Sequence, residues 1–554
     1  MSRGLEGLGL ACLVAAITLP FLDKPFHIDD LYTLQGIENV LRNPLDPIGG
    51  MVGWASEPRL LRHFELNPPF LPYFLAPFAR IGGTSEILLH AAMIPFYLAL
   101  AGSLLWLGRR FTGSSWLVLL LVMTSPAVTV SGNLMRDVPA TALAVSAIAA
   151  TIAGTDRGRN ALLLLGGVLA GLAMLTKYSS TVLLGLLPLY PVLHASARRA
   201  LWSSVAFAMF GLWCAHNLWV YGEIHVVAIS QGGLGPWRAW RDNLCGLPVV
   251  MGSICVLLPA LLARSVVRRD TSVLAAIALG VGLCVWATLR YLEGAADVEY
   301  LFWSLCGSGL LIACALEAFR GAAPLLRRSR DPAARDSLFL FAWLCAPLLF
   351  SVVSVPFQAV RHLIMALPPS VLLGVRLLER GGRARTLLRS PALVILVGVQ
   401  AVLGWLVAVA DYDLAAAYRD VAAETRARWI GDGTTTWYLG GWGWIYYAER
   451  AGLHALSYRR PFPREGDRIV QPMYVSRVND VQGLPGSAQR ARKLDEITRS
   501  GRVPFRSVHA DGANFYAVIA RREQRRRPTL PFRWLPWEPV ERFEIYQIRA
   551  GPDA

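Results

Sequence analysis

Two adjacent carboxylates, Asp29 and Asp30, sit in the stretch Phe26-His27-Ile28-Asp29-Asp30-Leu31-Tyr32, after one apolar segment and before another. Charged groups beside hydrocarbon are costly unless paired or wet, so such a pair marks a candidate site at a membrane edge. The plainer reading is helix capping, in which the side-chain oxygens take free backbone N–H groups of a first turn. Asp137, in Asn133-Leu134-Met135-Arg136-Asp137-Val138-Pro139, has the same two readings, and they are compatible because a cap fixes a carboxylate in place. Lys177, in Leu175-Thr176-Lys177-Tyr178-Ser179, is placed either to snorkel toward headgroups or to meet an anionic lipid phosphate. Arg361, in Phe357-Gln358-Ala359-Val360-Arg361-His362-Leu363, is either an interfacial anchor or a forked donor to phosphate. Carboxylates can accept protons, and these cations can neutralise phosphate.

What must position these groups is a membrane domain. The chain has 554 residues, 54% hydrophobic and 17% charged, too apolar for an ordinary soluble protein and too long for one domain. Runs long enough to cross roughly 30 Å of hydrocarbon recur from Leu5 to Tyr412, and about thirteen are expected. The opening run Leu8 to Phe21 reads as a retained first helix with a cytoplasmic N-terminus. Ser114 to Gly132 and Val249 to Val267 each read as one span. Arg109-Arg110, Arg157 with Arg159, Arg198-Arg199, Arg264 with Arg268-Arg269, Arg327-Arg328 with Arg330, and Arg383 with Arg385 fall on one side if the spans alternate. Lys and Arg accumulate inside, so these loops are cytoplasmic and Asp29-Asp30, Asp137, Lys177 and Arg361 are external. Much of the +16 net charge is therefore topological, not a nucleic-acid footprint. All eight cysteines, Cys12 to Cys345, lie in the apolar part without CxxC spacing, so neither disulfides nor structural zinc are expected.

The division is residues 1–411, a membrane domain with a long first external loop at 23–86, and residues 412–554, a soluble external α/β domain. In the loop, Asp30 to Leu41 has helical spacing, with Leu31, Leu34, Ile37, Val40 and Leu41 on one face and Pro44 ending it, as in a helix on the bilayer surface. Glu65-Leu66-Asn67-Pro68-Pro69-Phe70 opens another short apolar segment. In the tail, Leu414 to Trp429 and Trp444 to Gly452 read as helices. Thr435 to Gly440, Arg468 to Val475, Phe515 to Ile519 and Phe543 to Ile548 read as strands. The run Arg521 to Arg527 reads as a solvated turn within reach of anionic headgroups.

Together these residues resemble the GT-C membrane glycosyltransferases, specifically glycosyltransferase family 39, which holds protein O-mannosyltransferases and aminoarabinose transferases of lipid A. The similarity runs from about Asp23 to Pro369. It is carried by the acidic pair Asp29-Asp30 followed by Tyr32, by Asn67-Pro68-Pro69, by Asp137 at a helix start, by Leu175 to Tyr178, and by Arg361-His362 through Pro368. Asn67 stands where the aminoarabinose enzymes have Lys, and His362 where the family usually has Tyr. The resemblance implies a polytopic helical fold and inverting transfer of a sugar from a polyprenyl-phosphate donor to an envelope acceptor, at the outer face of a bacterial inner membrane.

On that resemblance the catalytic candidates are Asp29, Asp30 and Asp137, with Asp29 as the base that takes the acceptor hydroxyl's proton. Lys177, Arg361 and His362 are the lipid-phosphate ligands, stabilising charge that grows on the leaving group. Tyr32, Glu65 and Asn67 belong to the acceptor side of the loop. Asp29 and Asp137 also offer the oxygen donors that suit a divalent Mg²⁺, Mn²⁺ or Ca²⁺ ion. The competing class is a flippase for lipid-linked sugar. Transporters place ionisable groups at mid-membrane on broken helices, whereas these acids sit at helix ends.

Overall fold

A computed structural model describes residues 3–54, 57–231, 239–267, 270–292, 296–326, 331–380, 391–456, 463–474, 491–518 and 528–549. Arg268-Arg269, Arg327 to Arg330, Arg383 with Arg385, and Arg521 to Arg527 lie outside these. The fold is mostly helical, with a strand-containing C-terminal region. Among the described residues eight helices are long and apolar enough to cross a membrane: Gly4–Phe21, Glu86–Phe111, Asp137–Arg157, Leu274–Tyr291, Val298–Leu326, Pro332–Val353, Val360–Glu379 and Pro391–Trp429. The protein is a multi-pass membrane protein. Other apolar runs form further helices, including Asn160–Thr176, Leu183–His194 and Ser204–Tyr221.

Two expected spans are broken, each for a local reason. The run Ser114 to Gly132 divides into Ser115–Met123 and Pro126–Thr129. Pro126 has no N–H to continue the ladder, and the Ser125 hydroxyl accepts from the Ala127 N–H to cap the new helix. The run Val249 to Val267 breaks at extended Cys255, between Trp240–Ile254 and Leu258–Val267. Backbone groups freed inside an apolar environment need partners. The Val256 N–H donates to Gln400 Oε1 at 3.2 Å, and the Ser125 hydroxyl donates to the Ile254 carbonyl at 2.6 Å. Close packing holds these helices together: a Cβ on Gly307 or Gly252 would stand 1.8 and 2.1 Å from facing backbone oxygens of Pro248 and Trp303.

In the long loop, Asp30–Arg42 is helical and buries Leu34, Ile37 and Val40. A hairpin pairs Met51–Trp54 with Glu57–Leu60, and the helix Phe70–Gly82 follows. The 39-residue helix Pro391–Trp429, about 58 Å long at 1.5 Å per residue, continues without a break past residue 411 into the C-terminal region. There a five-stranded sheet runs in the order His454–Ala455, Thr436–Tyr438, Arg468–Pro472, Glu541–Ile548, Ala491–Arg499. The first two pairings are parallel and the last two antiparallel. The edge strand Ala491–Arg499, mostly charged and exposed, carries no apolar alternation and is invisible to a sequence reading. Of Phe515 to Ile519, expected as a strand, Ile519 lies outside the described residues and the rest makes an isolated bridge between Val518 and Gln358.

Candidate active site

Four chain segments meet where the acidic turn begins the Asp30–Arg42 helix. Arg361 Nη1 lies 2.6 Å from Asp29 Oδ2, and Lys177 Nζ lies 2.5 Å from Asp137 Oδ1. Lys177 Nζ also donates to the Arg361 carbonyl at 3.1 Å, which joins the two ion pairs into one cluster. Local structure sets each residue. Asp137 opens the helix Asp137–Arg157 with Pro139 in its first turn, Lys177 is the extended cap of Asn160–Thr176, and Arg361 lies on the short helix Val360–Leu363. Burial lowers the pKa of Lys177, opposed by the Asp137 carboxylate.

The two adjacent acids have different surroundings. The Asp29 side chain is 28% exposed, whereas Asp30 is fully buried. Asp30 Oδ2 accepts the His27 N–H at 2.8 Å, closing the turn, and burial pushes its carboxyl up to about 7. With an ordinary value of 3.8 in the unfolded chain, Asp30's contribution to stability is complete below about pH 4 and is lost as pH rises through 7. Thermal unfolding followed from pH 4.5 to 8 is expected to show this decline in wild type and a flatter profile in Asp30→Asn, whose amide oxygen still accepts the His27 N–H. An unchanged profile in the variant counts against the assignment.

Immediately before Asp29, Ile28 has φ 48°, a left-handed conformation that a β-branched residue adopts only under constraint. The constraint is tertiary. The Phe26 N–H donates to the Tyr447 hydroxyl at 2.7 Å, and a Cβ on Gly443 would stand 2.3 Å from the Phe26 carbonyl, so only glycine permits this approach. These contacts hold the turn that leads into Asp29.

The other candidate residues have partners of their own. Glu65 Oε2 pairs with Arg136 Nη2 at 2.7 Å, both largely buried, and Glu65 Oε1 accepts the Asn67 N–H at 3.0 Å. Burial raises Glu65's pKa, opposed by Arg136. Tyr32 packs with Leu61 and Phe64. The His362 ring lies 5.9 Å from that of Phe357. Arg136 was not singled out from the sequence, although its adjacency to Asp137 was a signal.

A buried hub behind the turn was also missed. Asp411 is fully buried, with Lys24 Nζ at 2.6 Å from Oδ2 and His27 Nε2 at 3.6 Å from Oδ1. The hydroxyls of Tyr516 and Ser507 each donate to it at 2.7 Å. An aspartate inside the long apolar helix Pro391–Trp429 was the available signal.

Residues 66–219 match the family described as dolichyl-phosphate-mannose-protein mannosyltransferase. By this segment the chain is similar to a family of membrane glycosyltransferases. The matched segment carries Asn67, Arg136, Asp137 and Lys177 but neither Asp29 nor Arg361. No curated protein matches the chain in sequence. Among solved structures, the archaeal oligosaccharyltransferase AglB from Archaeoglobus fulgidus, in complex with an inhibitory peptide and a dolichol-phosphate, is 14% identical with TM-score 0.44, over 83% of this chain and 61% of that one. This chain therefore spans about three fifths of that protein's length. ArnT from Cupriavidus metallidurans, bound to undecaprenyl phosphate, is 15% identical with TM-score 0.41, over 85% of this chain and 94% of that one. The Archaeoglobus enzyme complexed with Zn and sulfate is 14% identical with TM-score 0.43, over 89% of this chain and 72% of that one.

Among the described residues a group able to hold a metal ion is His509, Asp511 and Glu538, in the C-terminal region. Asp29 and Asp137, the sequence candidates for a divalent ion, each face a cationic side chain instead. Each ion pair uses one carboxylate oxygen, Asp29 Oδ2 and Asp137 Oδ1.

Proposed function

We propose that the chain is a glycosyltransferase that moves a sugar from a polyprenyl-phosphate donor to an acceptor of the cell envelope, at the outer face of a bacterial inner membrane, with inversion. The observation that carries this reading is the alternation Asp29–Arg361–Lys177–Asp137, two acids and two cations at helix ends, with one acid partly exposed. The arginine-marked loops, assigned to the cytoplasm by positive-inside bias, support the external placement.

In this reading the donor phosphate competes with Asp29 for Arg361. The forked guanidinium suits a phosphate, and its transfer to the donor frees the Asp29 carboxylate. Asp29 then takes the acceptor hydroxyl's proton while the acceptor oxygen bonds to the anomeric carbon. The bond from that carbon to the phosphate oxygen breaks with its electron pair, leaving polyprenyl phosphate paired with Arg361 and Lys177. Asp137 holds Lys177 in position. His362, Tyr32, Glu65 and Asn67 border the donor and acceptor approaches. No step passes through a divalent ion.

The test is a reconstituted full-length chain given a lipid-linked sugar and envelope acceptors, with transfer and lipid translocation measured together. Arg361→Ala and Lys177→Met are each expected to weaken donor binding by roughly 10- to 100-fold, the range for losing a hydrogen bond to a charged group, and to lower turnover as well. Translocation without any transfer by wild type establishes the flippase reading instead.

A further inference from the structure

The C-terminal segment Ser507 to Val518 reaches the chain segments that present Asp29, Asp137 and Arg361. Tyr516 lies at its centre. Its hydroxyl donates to Asp411 Oδ2 at 2.7 Å and accepts from Asn133 Nδ2 at 2.8 Å, and its ring stands edge-on to His27 at 5.8 Å. His27 precedes Asp29 by two residues, and Asn133 precedes Asp137 by four. On its flanks, the Val360 N–H donates to the Phe515 carbonyl at 3.4 Å and the Val518 N–H to the Gln358 carbonyl at 2.6 Å, immediately before Arg361. One buried tyrosine and its neighbours thus touch the turn of the proposed base, the approach to Asp137 and the approach to Arg361. Lys24, Ser507 and the His27 ring share the Asp411 carboxylate, so a single anion ties the C-terminal region to the acidic turn.

We infer that Tyr516, through Asp411 and Asn133, is a positioning residue for the proposed glycosyl transfer, and that the C-terminal region is part of the catalytic unit. This rests on the glycosyl-transfer reading above. Tyr516 touches no reacting atom. It acts by holding the strained Ile28 turn and the Asn133 segment in register, so that base and phosphate ligands face one another. Closely packed networks of this kind transmit small displacements, and a misplacement of about 1 Å at a reacting centre costs roughly 100-fold in rate.

The experiment measures steady-state transfer by the full chain, reconstituted in lipid, for wild type, Tyr516→Phe, Asp411→Asn and Asp29→Asn. Tyr516→Phe keeps the ring and removes one hydroxyl. Its kcat is expected to fall roughly 10- to 100-fold with KM for the lipid-linked donor changed by less than about twofold. A residue with only a structural role lowers the unfolding temperature without moving kcat, and Tyr516→Phe with wild-type kcat overturns the inference even if it unfolds earlier. Tyr516→Phe and Asp411→Asn act on one network, so the double variant is expected to lose less than the product of the two single losses. If Tyr516→Phe does not insert, Ser507→Ala removes one hydroxyl from the same carboxylate and is read the same way. Wild-type transfer with an inactive Asp29→Asn but a fully active Tyr516→Phe refutes the positioning role alone. Absence of transfer by wild type refutes the glycosyl-transfer reading and this inference with it.

Discussion

Replacing Asp29 by Asn is expected to lower sugar transfer by at least about 10²-fold, the usual loss on removing a general base, while donor binding persists. The substitution nearly preserves shape, and the amide oxygen still accepts from Arg361 Nη1, which now lies 2.6 Å from the carboxylate. What disappears is a proton acceptor at the one member of the acidic pair whose side chain is partly exposed. Asp30 is not placed to substitute for it, because its side chain is fully buried and its Oδ2 accepts the His27 N–H within the turn. Asp30→Asn is therefore expected to change stability against pH more than it changes turnover. The result that sinks the assignment is Asp29→Asn with full transfer activity in the assay in which Arg361→Ala is defective.

The largest effect on stability is expected from Lys24→Met. Lys24 and Asp411 form an ion pair 2.6 Å long with side chains 2% and 0% exposed, so neither charge is shared with water. Removing one member of a buried pair leaves an uncompensated charge and typically costs about 3–5 kcal/mol. Tyr516 and Ser507 still donate to Asp411 in the variant, but neutral hydroxyls offset only part of the loss. Replacing both partners by apolar residues of similar size is usually far less harmful, so Lys24→Met with Asp411→Leu is expected to recover most of the stability. Unfolding by denaturant in detergent checks both variants. A Lys24→Met chain as stable as wild type shows that the pair is not the electrostatic core of this junction. The double variant also removes the acceptor of the Tyr516 hydroxyl, so restored stability with low turnover is the expected combination.

The sequence by itself determined the class of protein and the identities of most charged residues in the cluster. Apolar runs near the length needed to cross hydrocarbon have few other fates, and an acid, a lysine or an arginine at the end of such a run is conspicuous because desolvation makes it costly. Asp29, Asp137, Lys177 and Arg361 stood out for that reason, and the helix Asp30–Arg42 followed from its apolar spacing. Breaks inside spans were less legible. A proline at 126 or an extended residue at Cys255 breaks a helix only if distant groups such as Gln400 satisfy the freed backbone, and those groups are identified by folding.

Only the tertiary structure decided which acid of the pair is exposed. Adjacent residues at a helix start have equivalent sequence contexts, and the difference between Asp29 and Asp30 comes from what packs against the turn: Tyr447 on the Phe26 N–H, Gly443 against the Phe26 carbonyl, and the buried Asp411 hub behind His27. These partners lie about 380 to 420 positions away along the chain. No local periodicity encodes contacts at that separation. Tyr516 shows the same limit, since an aromatic residue in a short mixed segment carries no distinguishing pattern, and its role arises only where folding brings Asn133, Asp411 and the His27 ring to one side chain.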